Sequence, residues 1–395
     1  MTQTLSNFGV SVLDCEHRTP AAQISGFPYI TIPDIHDGRV IVDKARRISE
    51  TDLIKWNRRT TPIGGDILVT RRGRVGDTAP IPDGLRCAIG ENLVLLRTNG
   101  TQDDQNFLRW AVRSPQWWSE VDRLMNVGAV FSSLNVKDIA QIRLDFPPIP
   151  EQQAIAEVLG ALDDKIAANT ALAASAIELA SSEFALVVRD AHWGATFADL
   201  AVISGGGTPS TKNAKFWDGE IRWATPTDIT TLAGPYLDST SRTLTPAGLN
   251  ACSSKLFAPG AILLTSRATI GAVAINIVPT ALNQGFIVVE PRDARMRWWL
   301  FHEMDDRRSE FLSWANGATF LELSRGNFKR LRVRVPSDYA LTMFASTAEA
   351  LHGAALAALA ENRTLAATRD ALLPQLMSGK LRVRDAEAAA SAAGA

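Results

Sequence analysis

The stretch PIGGDILVTRRGRVGDTAPI at 62–81 returns, altered but recognisable, as FAPGAILLTSRATIGAVAIN at 257–276. At a fixed offset of 195, Gly65 matches Gly260, Ile67 matches Ile262, Thr70 matches Thr265, Arg72 matches Arg267 and Gly76 matches Gly271. The echo extends in both directions. Thr19-Pro20 matches Thr208-Pro209, and YITIPDI (29–35) matches RWATPTDI (222–229). CAIGENLVLL (87–96) matches ALNQGFIVVE (281–290), and NVGAVFSSLNVKDIAQIRLDFP (126–147) matches NGATFLELSRGNFKRLRVRVP (316–336) with a one-residue slip. A period near 190 is far too long for a solenoid. The chain is therefore a duplicated unit, a globular head followed by a helix, twice.

The helices carry their own signature. After the proline-rich stop at 147–150, Ile155, Leu159, Leu162, Ile166, Asn169, Ala173, Ala176 and Ala180 recur in alternating steps of four and three, the seam of a coiled coil. Spanning Gln152 to Arg189, such a helix is ~57 Å long at ~1.5 Å per residue, more a spacer than an ordinary globular helix. From Leu341 the rhythm returns in Phe344, Ala348, Leu351, Ala355, Ala358, Asn362, Leu365, Arg369 and Leu372. Asn169 and Asn362 both fall on the seam. A buried Asn there sets register at a cost in stability; the alternative is that both point to water. Two helices that each return a head to the opposite end pair antiparallel, giving a dumbbell with pseudo-twofold symmetry.

Within each head, DILVTRRG, ENLVLLR and their counterparts read as short strands. QNFLRWAVRSPQWWSEVDRLM and ARMRWWLFHEMDDRRSEFLSWA read as helices whose tryptophans are mostly core. KRLRVRVPS alternates into a final edge strand stopped by proline. The expected fold class is α+β, with boundaries at 1–150 (head one), 151–190 (first spacer helix), 191–340 (head two), 341–383 (second spacer helix) and 384–395. This last, Ala-rich segment reads as a disordered tail.

Composition excludes more than it selects. No apolar run reaches 18 residues, which argues against a membrane span. The N-terminus lacks the charged start and apolar core of a signal peptide. Three cysteines are too few for a disulfide framework or a four-ligand zinc site. These point to the cytoplasm. Net charge is −1, so any case for nucleic acid rests on local clusters.

No catalytic constellation emerges. There is no phosphate-binding loop motif, and Gly205-Gly206-Gly207 runs into Thr-Pro, which argues against a phosphate-cradling helix start. The five histidines are scattered, and His17 beside Cys15 reads as loop rather than metal site. Asp163-Asp164-Lys165 reads as a solvated charged face of the spacer helix. Residues 39–74, in contrast, hold ten Lys or Arg against four acids. Arginines at this density supply phosphate contacts and forked contacts to base edges. The candidate DNA-contacting residues are Lys44, Arg46, Arg47, Arg58, Arg59, Arg71, Arg72 and Arg74 in head one. In head two they are Lys212, Lys215, Arg222, Lys255, Thr265, Ser266 and Arg267. Of these, Arg71, Arg72 and Arg74, and Ser266 and Arg267, ride on the turn after the repeated strand. Arg325, Lys329, Arg330, Arg332 and Arg334 form another basic run, expected to alternate along an edge strand.

PPIPEQQAIAEVLGALDDKI resembles the central conserved region of the specificity subunits of type I restriction–modification systems, and ALLPQLMSGKLRV resembles their C-terminal conserved region. SGGGTPSTKNAKFWDGEIRWATPTDI and DCEHRTP look like openings of their target-recognition domains. The second helix lacks the usual P-x-x-EQ start, having PSDYALTMFAS instead. The resemblance implies two globular target-recognition domains separated by an antiparallel coiled coil of two long helices. Each head would read one half of a bipartite, asymmetric site in double-stranded DNA, with the coiled coil as ruler. It implies no catalytic activity and no cofactor in this chain. Two modification subunits using S-adenosylmethionine, and two restriction subunits using ATP and Mg2+, would supply the chemistry. The rival expectations are the recognition portion of a DNA-modifying enzyme and a dumbbell adaptor that binds protein rather than DNA.

Overall fold

A computed structural model describes residues 2–100, 104–127, 132–316 and 321–395. The β-rich segments of the two copies fold to the same plan. In head one, Ser11–Asp14, Leu93–Arg97, Ile67–Thr70 and Thr78–Pro80 lie side by side, antiparallel throughout. In head two, Ala201–Gly205, Phe286–Pro291, Ile262–Thr265 and Val273–Asn276 take the same order, with Tyr236–Leu237 added in parallel at the edge. A second sheet of three strands repeats as well. Phe27–Ile30 sits between antiparallel Arg46–Ile48 and parallel Ala88–Ile89; Trp217–Ala224 sits between antiparallel Arg242–Leu244 and parallel Thr280–Leu282. The central strands Ile67–Thr70 and Ile262–Thr265 are buried at every residue, as near-continuous apolar runs require.

The same caps recur after the first strand of the small sheet. Thr31 donates its amide (2.8 Å) and hydroxyl (2.6 Å) to Asp34; Thr225 does the same to Asp228, both at 2.7 Å. This reciprocal cap satisfies donors that a short helix leaves open. The paired T-x-x-D spacing is thus a fold signal rather than a chemical one.

The two spacer helices run Ile149–Val187 and Asp338–Met377. The chain divides into two units, Met1–Ala168 with Glu361–Ala395, and Asn169–Ala360. Each long helix therefore gives one part to each unit. In the first unit, Ile155, Leu159, Leu162 and Ile166 enter the head's core together with Leu365, Leu372 and Leu376. Asn362 Nδ2 donates to the Ile166 carbonyl at 3.2 Å, and Asp163 pairs with Arg369, so the helices are antiparallel there. In the second unit, Ala173, Ala176 and Phe184 pack with Phe344, Ala348 and Ala355 around Trp299. Asn169 is buried. By length and hydropathy alone both helices would also pass for membrane spans. Their apolar seams are instead committed to protein: every first-helix seam residue from Ile155 to Ala180 is under 9% exposed.

Three expectations change. The tail forms a helix, Val383–Ala392, with Ala386 and Ala390 buried in the core of the first unit. Alanine is the strongest helix former, and an i, i+4 pair of methyls suffices for a docked face. Asp163 is not a solvated charge: it is 9% exposed and bridges Arg109 at 2.6 Å and Arg369 at 2.5 Å. In the basic run, Arg325–Arg330 is a helix, and only Arg332–Val335 is a strand, paired with His192–Thr196.

A buried polar chain attaches head two to its helices. The Tyr236 hydroxyl and His352 Nδ1 share a hydrogen bond at 2.6 Å, and His352 Nε2 lies 3.0 Å from His302 Nε2. His302 Nδ1 lies 3.5 Å from Ser181 Oγ, and Trp298 stacks on His352 with centroids 3.6 Å apart. Both rings are buried, which disfavours their charged forms. Burial pushes His302 down to about 4; burial and the neighbouring His302 push His352 down to about 3. Unfolded, both rings bind protons near 6.5, so the unfolded state carries more protons as pH falls below that value. Stability is then expected to drop from pH 6.5 down to about 4 for His302 and about 3 for His352, by up to about 1.4 kcal/mol per pH unit for each ring. A urea titration across this window checks it, and His352→Phe should flatten the slope.

Candidate nucleic-acid interface

The repeated strand ends in a tightly closed turn. In head one, Thr70 N donates to Asp77 O and Gly76 N to Thr70 O, both at 2.9 Å, and the Thr70 hydroxyl donates to Arg74 O. In head two, Thr265 N donates to Ala272 O and Gly271 N to Thr265 O, again at 2.9 Å, and the Thr265 hydroxyl donates to Thr269 O. Gly76 and Gly271 sit at φ +90° and +89°. A Cβ on Gly76 would lie 2.9 Å from Val121 Cγ1, and one on Gly271 would lie 2.6 Å from Arg308 Cγ. These glycines repeat because the turn needs a left-handed residue with no side chain.

The turn projects from the end of the large sheet, where three other segments meet it. In head two, Ser266 N donates to Gly285 O at 2.8 Å, and Leu323 N donates to Ser266 O at 3.0 Å. The Thr208 hydroxyl donates to Gln284 Oε1, and the Arg325 guanidinium lies over Gly205. In head one the same places are taken by Arg71 N on Asn92 O (2.8 Å) and Leu134 N on Arg71 O (2.9 Å). Arg267, Gln284, Arg325 and Thr208 are thus brought to one end of head two. Sequence reading missed Gln284 and Arg325. The signal was available: both lie within segments that echo the first copy.

The candidate residues separate into distinct environments. Lys44, Arg58, Arg72, Lys212 and Lys215 are exposed. Arg46 donates to Pro20 O at 3.0 Å, and Arg47 to Val42 O at 2.9 Å. Arg59 reaches Cys15 O at 3.3 Å and Glu16 at 3.8 Å. Arg71 donates to Leu134 O at 3.2 Å, and half-buried Arg222 lies within the small sheet of head two. Lys255 is paired with Glu290 at 2.7 Å. Arg74 is exposed but tied down: it donates to Ile32 O at 2.7 Å and to Ile35 O, and pairs with Asp77 at 3.3 Å. Burial pushes the Asp77 carboxyl up, with Arg74 beside it opposing the shift. Thr265 and Ser266 do not face solvent. They are 0% and 2% exposed, so direct DNA contact through their side chains is withdrawn. The strand buries Thr265, whose hydroxyl closes the turn, and pairing on both sides buries Ser266. Arg334 is likewise spent on Glu303 and Asp306. Arg242, on the small sheet's edge strand, lies 3.5 Å above the Trp217 ring.

Residues 21–177 and 195–340 each match the family described as type I restriction modification DNA specificity domain. The chain belongs to that family. As a member with two specificity domains in tandem, it resembles several curated relatives. It is 38% identical over 141 residues to the MjaIX specificity subunit of Methanocaldococcus jannaschii, covering 35% of this chain and 33% of that protein. It is 25% identical over 187 residues to the HindI specificity subunit of Haemophilus influenzae, covering 47% and 40%. The chain thus spans about a third to two-fifths of the length of these relatives. Its fold is that of the type I restriction–modification S subunit of M. genitalium, with a TM-score of 0.61 at 14% identity over 95% of both chains.

Proposed function

We propose that this member of the specificity family is a cytoplasmic, non-catalytic subunit that reads DNA, each head recognising one half of a bipartite site. The observation that carries the reading is the paired turn. The same backbone closure presents Arg72 in head one and Arg267 in head two, on neighbours that differ between the copies. Two like scaffolds with unlike edges recognise two unlike half-sites, so the site is not a palindrome. The long helices set the gap between half-sites. Leu172, Leu179 and Leu186, spaced by seven and about half exposed on the first helix, suit a modification subunit that packs a helix there. In the assembled complex, double-stranded DNA, two modification subunits and two restriction subunits are the partners. S-adenosylmethionine, ATP and Mg2+ belong to those subunits.

The test is to express the chain with its modification subunit in a methylation-free host and map N6-methyladenine. A motif of two unlike halves with a fixed gap supports the reading. A stable complex with no motif overturns it, and no complex at all favours an adaptor. Arg72→Ala and Arg267→Ala are each expected to weaken DNA binding by ~1–3 kcal/mol and to relax different half-sites. Unchanged affinity and motif in both would remove the turns from the interface. Seven residues inserted after Ala168 lengthen the helix by ~10 Å. The mapped gap should then grow, or methylation should cease; an unaltered gap refutes the ruler.

A further inference from the structure

The two turns, alike in backbone, differ in how the arginine is held. In head one, Arg72 stands across an isolated bridge from Ser133, a residue with no charge to offer it. In head two, the matching bridge sets Arg267 across from Glu322, and the guanidinium meets the carboxylate at 2.9 Å. Glu322 is itself anchored: its amide and carbonyl both pair with Asn316 at 3.0 Å. The next residue differs too. Gly73 takes φ +68° without cost, whereas Ala268 is held at φ +60°, where a Cβ is strained. Head two thus keeps both a strained residue and a carboxylate brace around its arginine; among the described residues head one has neither.

Stability is not a sufficient reason for the brace. The two side chains are 45% and 39% exposed, and an ion pair so wet contributes little. A carboxylate at a phosphate-facing end also works against binding, because it repels the backbone charge. What the pair does achieve is orientation. Arginine has five N–H donors in a rigid fork, and the bond to Glu322 uses only part of them. The 45%-exposed side chain keeps donors to spare and has fewer rotamers to lose on binding, the condition for a directed contact to a base edge.

We propose that Glu322 is a positioning residue, which fixes the Arg267 guanidinium so that head two discriminates one base pair of its half-site. The proposal rests on Arg267 being a base-reading residue. Arg72, held by no such carboxylate, reads its half-site with less discrimination than Arg267.

The test compares Glu322→Gln, Glu322→Ala, Glu322→Asp and Arg267→Ala, each co-expressed with the modification subunit, by methylation mapping and thermal unfolding. Glu322→Gln and Glu322→Ala should relax preference at one base pair of one half-site by about tenfold, leaving the other half-site sharp and the melting temperature unchanged. Glu322→Asp should retain most of the preference. If Arg267→Ala relaxes that base pair while the Glu322 variants leave it sharp, the positioning role is overturned and the base-reading role stands. If Arg267→Ala leaves the motif intact, both fall. If Glu322→Ala only tightens binding to all sequences, the carboxylate is a charge mask and the proposal is wrong.

Discussion

Asp163→Ala is expected to destabilise the first unit by about 3–5 kcal/mol, although it removes one residue from a helix that tolerates alanine well. Asp163 Oδ2 accepts from Arg109 Nη2 at 2.6 Å, and Oδ1 accepts from Arg369 Nη1 at 2.5 Å. Arg109 comes from the head and Arg369 from the second long helix, so one carboxylate ties three elements together. The Asp163 and Arg369 side chains are each 11% exposed, and that of Arg109 is 25% exposed. Truncation would leave Arg109 without its carboxylate and Arg369 with Asp370 as its remaining acid, in a place from which water is mostly excluded. Urea unfolding monitored on the first unit checks this. A loss below about 1 kcal/mol would mean that the arginines relax into water freely. Asp163→Asn keeps the shape and one acceptor, and should fall between alanine and wild type.

Glu303→Ala is expected to cost the second unit a similar ~3–5 kcal/mol. Glu303 is fully buried. Its Oε1 accepts from Arg307 Nη1 at 2.8 Å and from the Arg334 amide at 3.1 Å, and its Oε2 accepts from Arg334 Nε at 2.9 Å. Arg307 also forks onto both Glu310 oxygens at 2.8 Å and reaches the Arg332 carbonyl at 2.7 Å. Removing Glu303 therefore takes one acceptor from buried Arg307 and loosens the strand Arg332–Val335 from the helix Met296–Asp306, leaving Arg334 held there by Asp306 and by Trp299 Nε1 on its carbonyl. Amide exchange should accelerate first in that strand and in its partner His192–Thr196. Exchange that accelerated evenly over the unit would show that Glu303 serves global packing instead.

These two carboxylates mark where sequence reading stops. The repeat at offset 195 specified both heads, because matching glycines and apolar strands respond to backbone requirements that any copy must meet. The seam from Ile155 to Ala180 specified a buried face, because periodicity alone decides which side of a helix is apolar. Asp163 lies beside that seam, and no period shows that Arg109 and Arg369 close over it from distant positions. The tail was misread for a related reason: its alanines carry no strong pattern, and only the groove that receives Ala386 and Ala390 makes them a helix face. At the turns, sequence placed arginines where the structure has them. It did not separate Arg74, spent on two backbone carbonyls, from Arg72, since both lie within the same five residues.

The division of the chain has a bearing on its synthesis. The second unit is one continuous segment, 169–360, whereas the first needs both ends of the chain. On the ribosome, the second unit has all its residues before the first does, although the first began to emerge earlier. Until 361–395 is released, Leu159 and Leu162 lack Leu365, Leu372 and Leu376, and a nascent first unit presents an open apolar groove. A stop codon just after Ala360 would then spare the later-made unit and cripple the earlier one, which makes the last 35 residues a folding checkpoint for residues translated some two hundred positions before them.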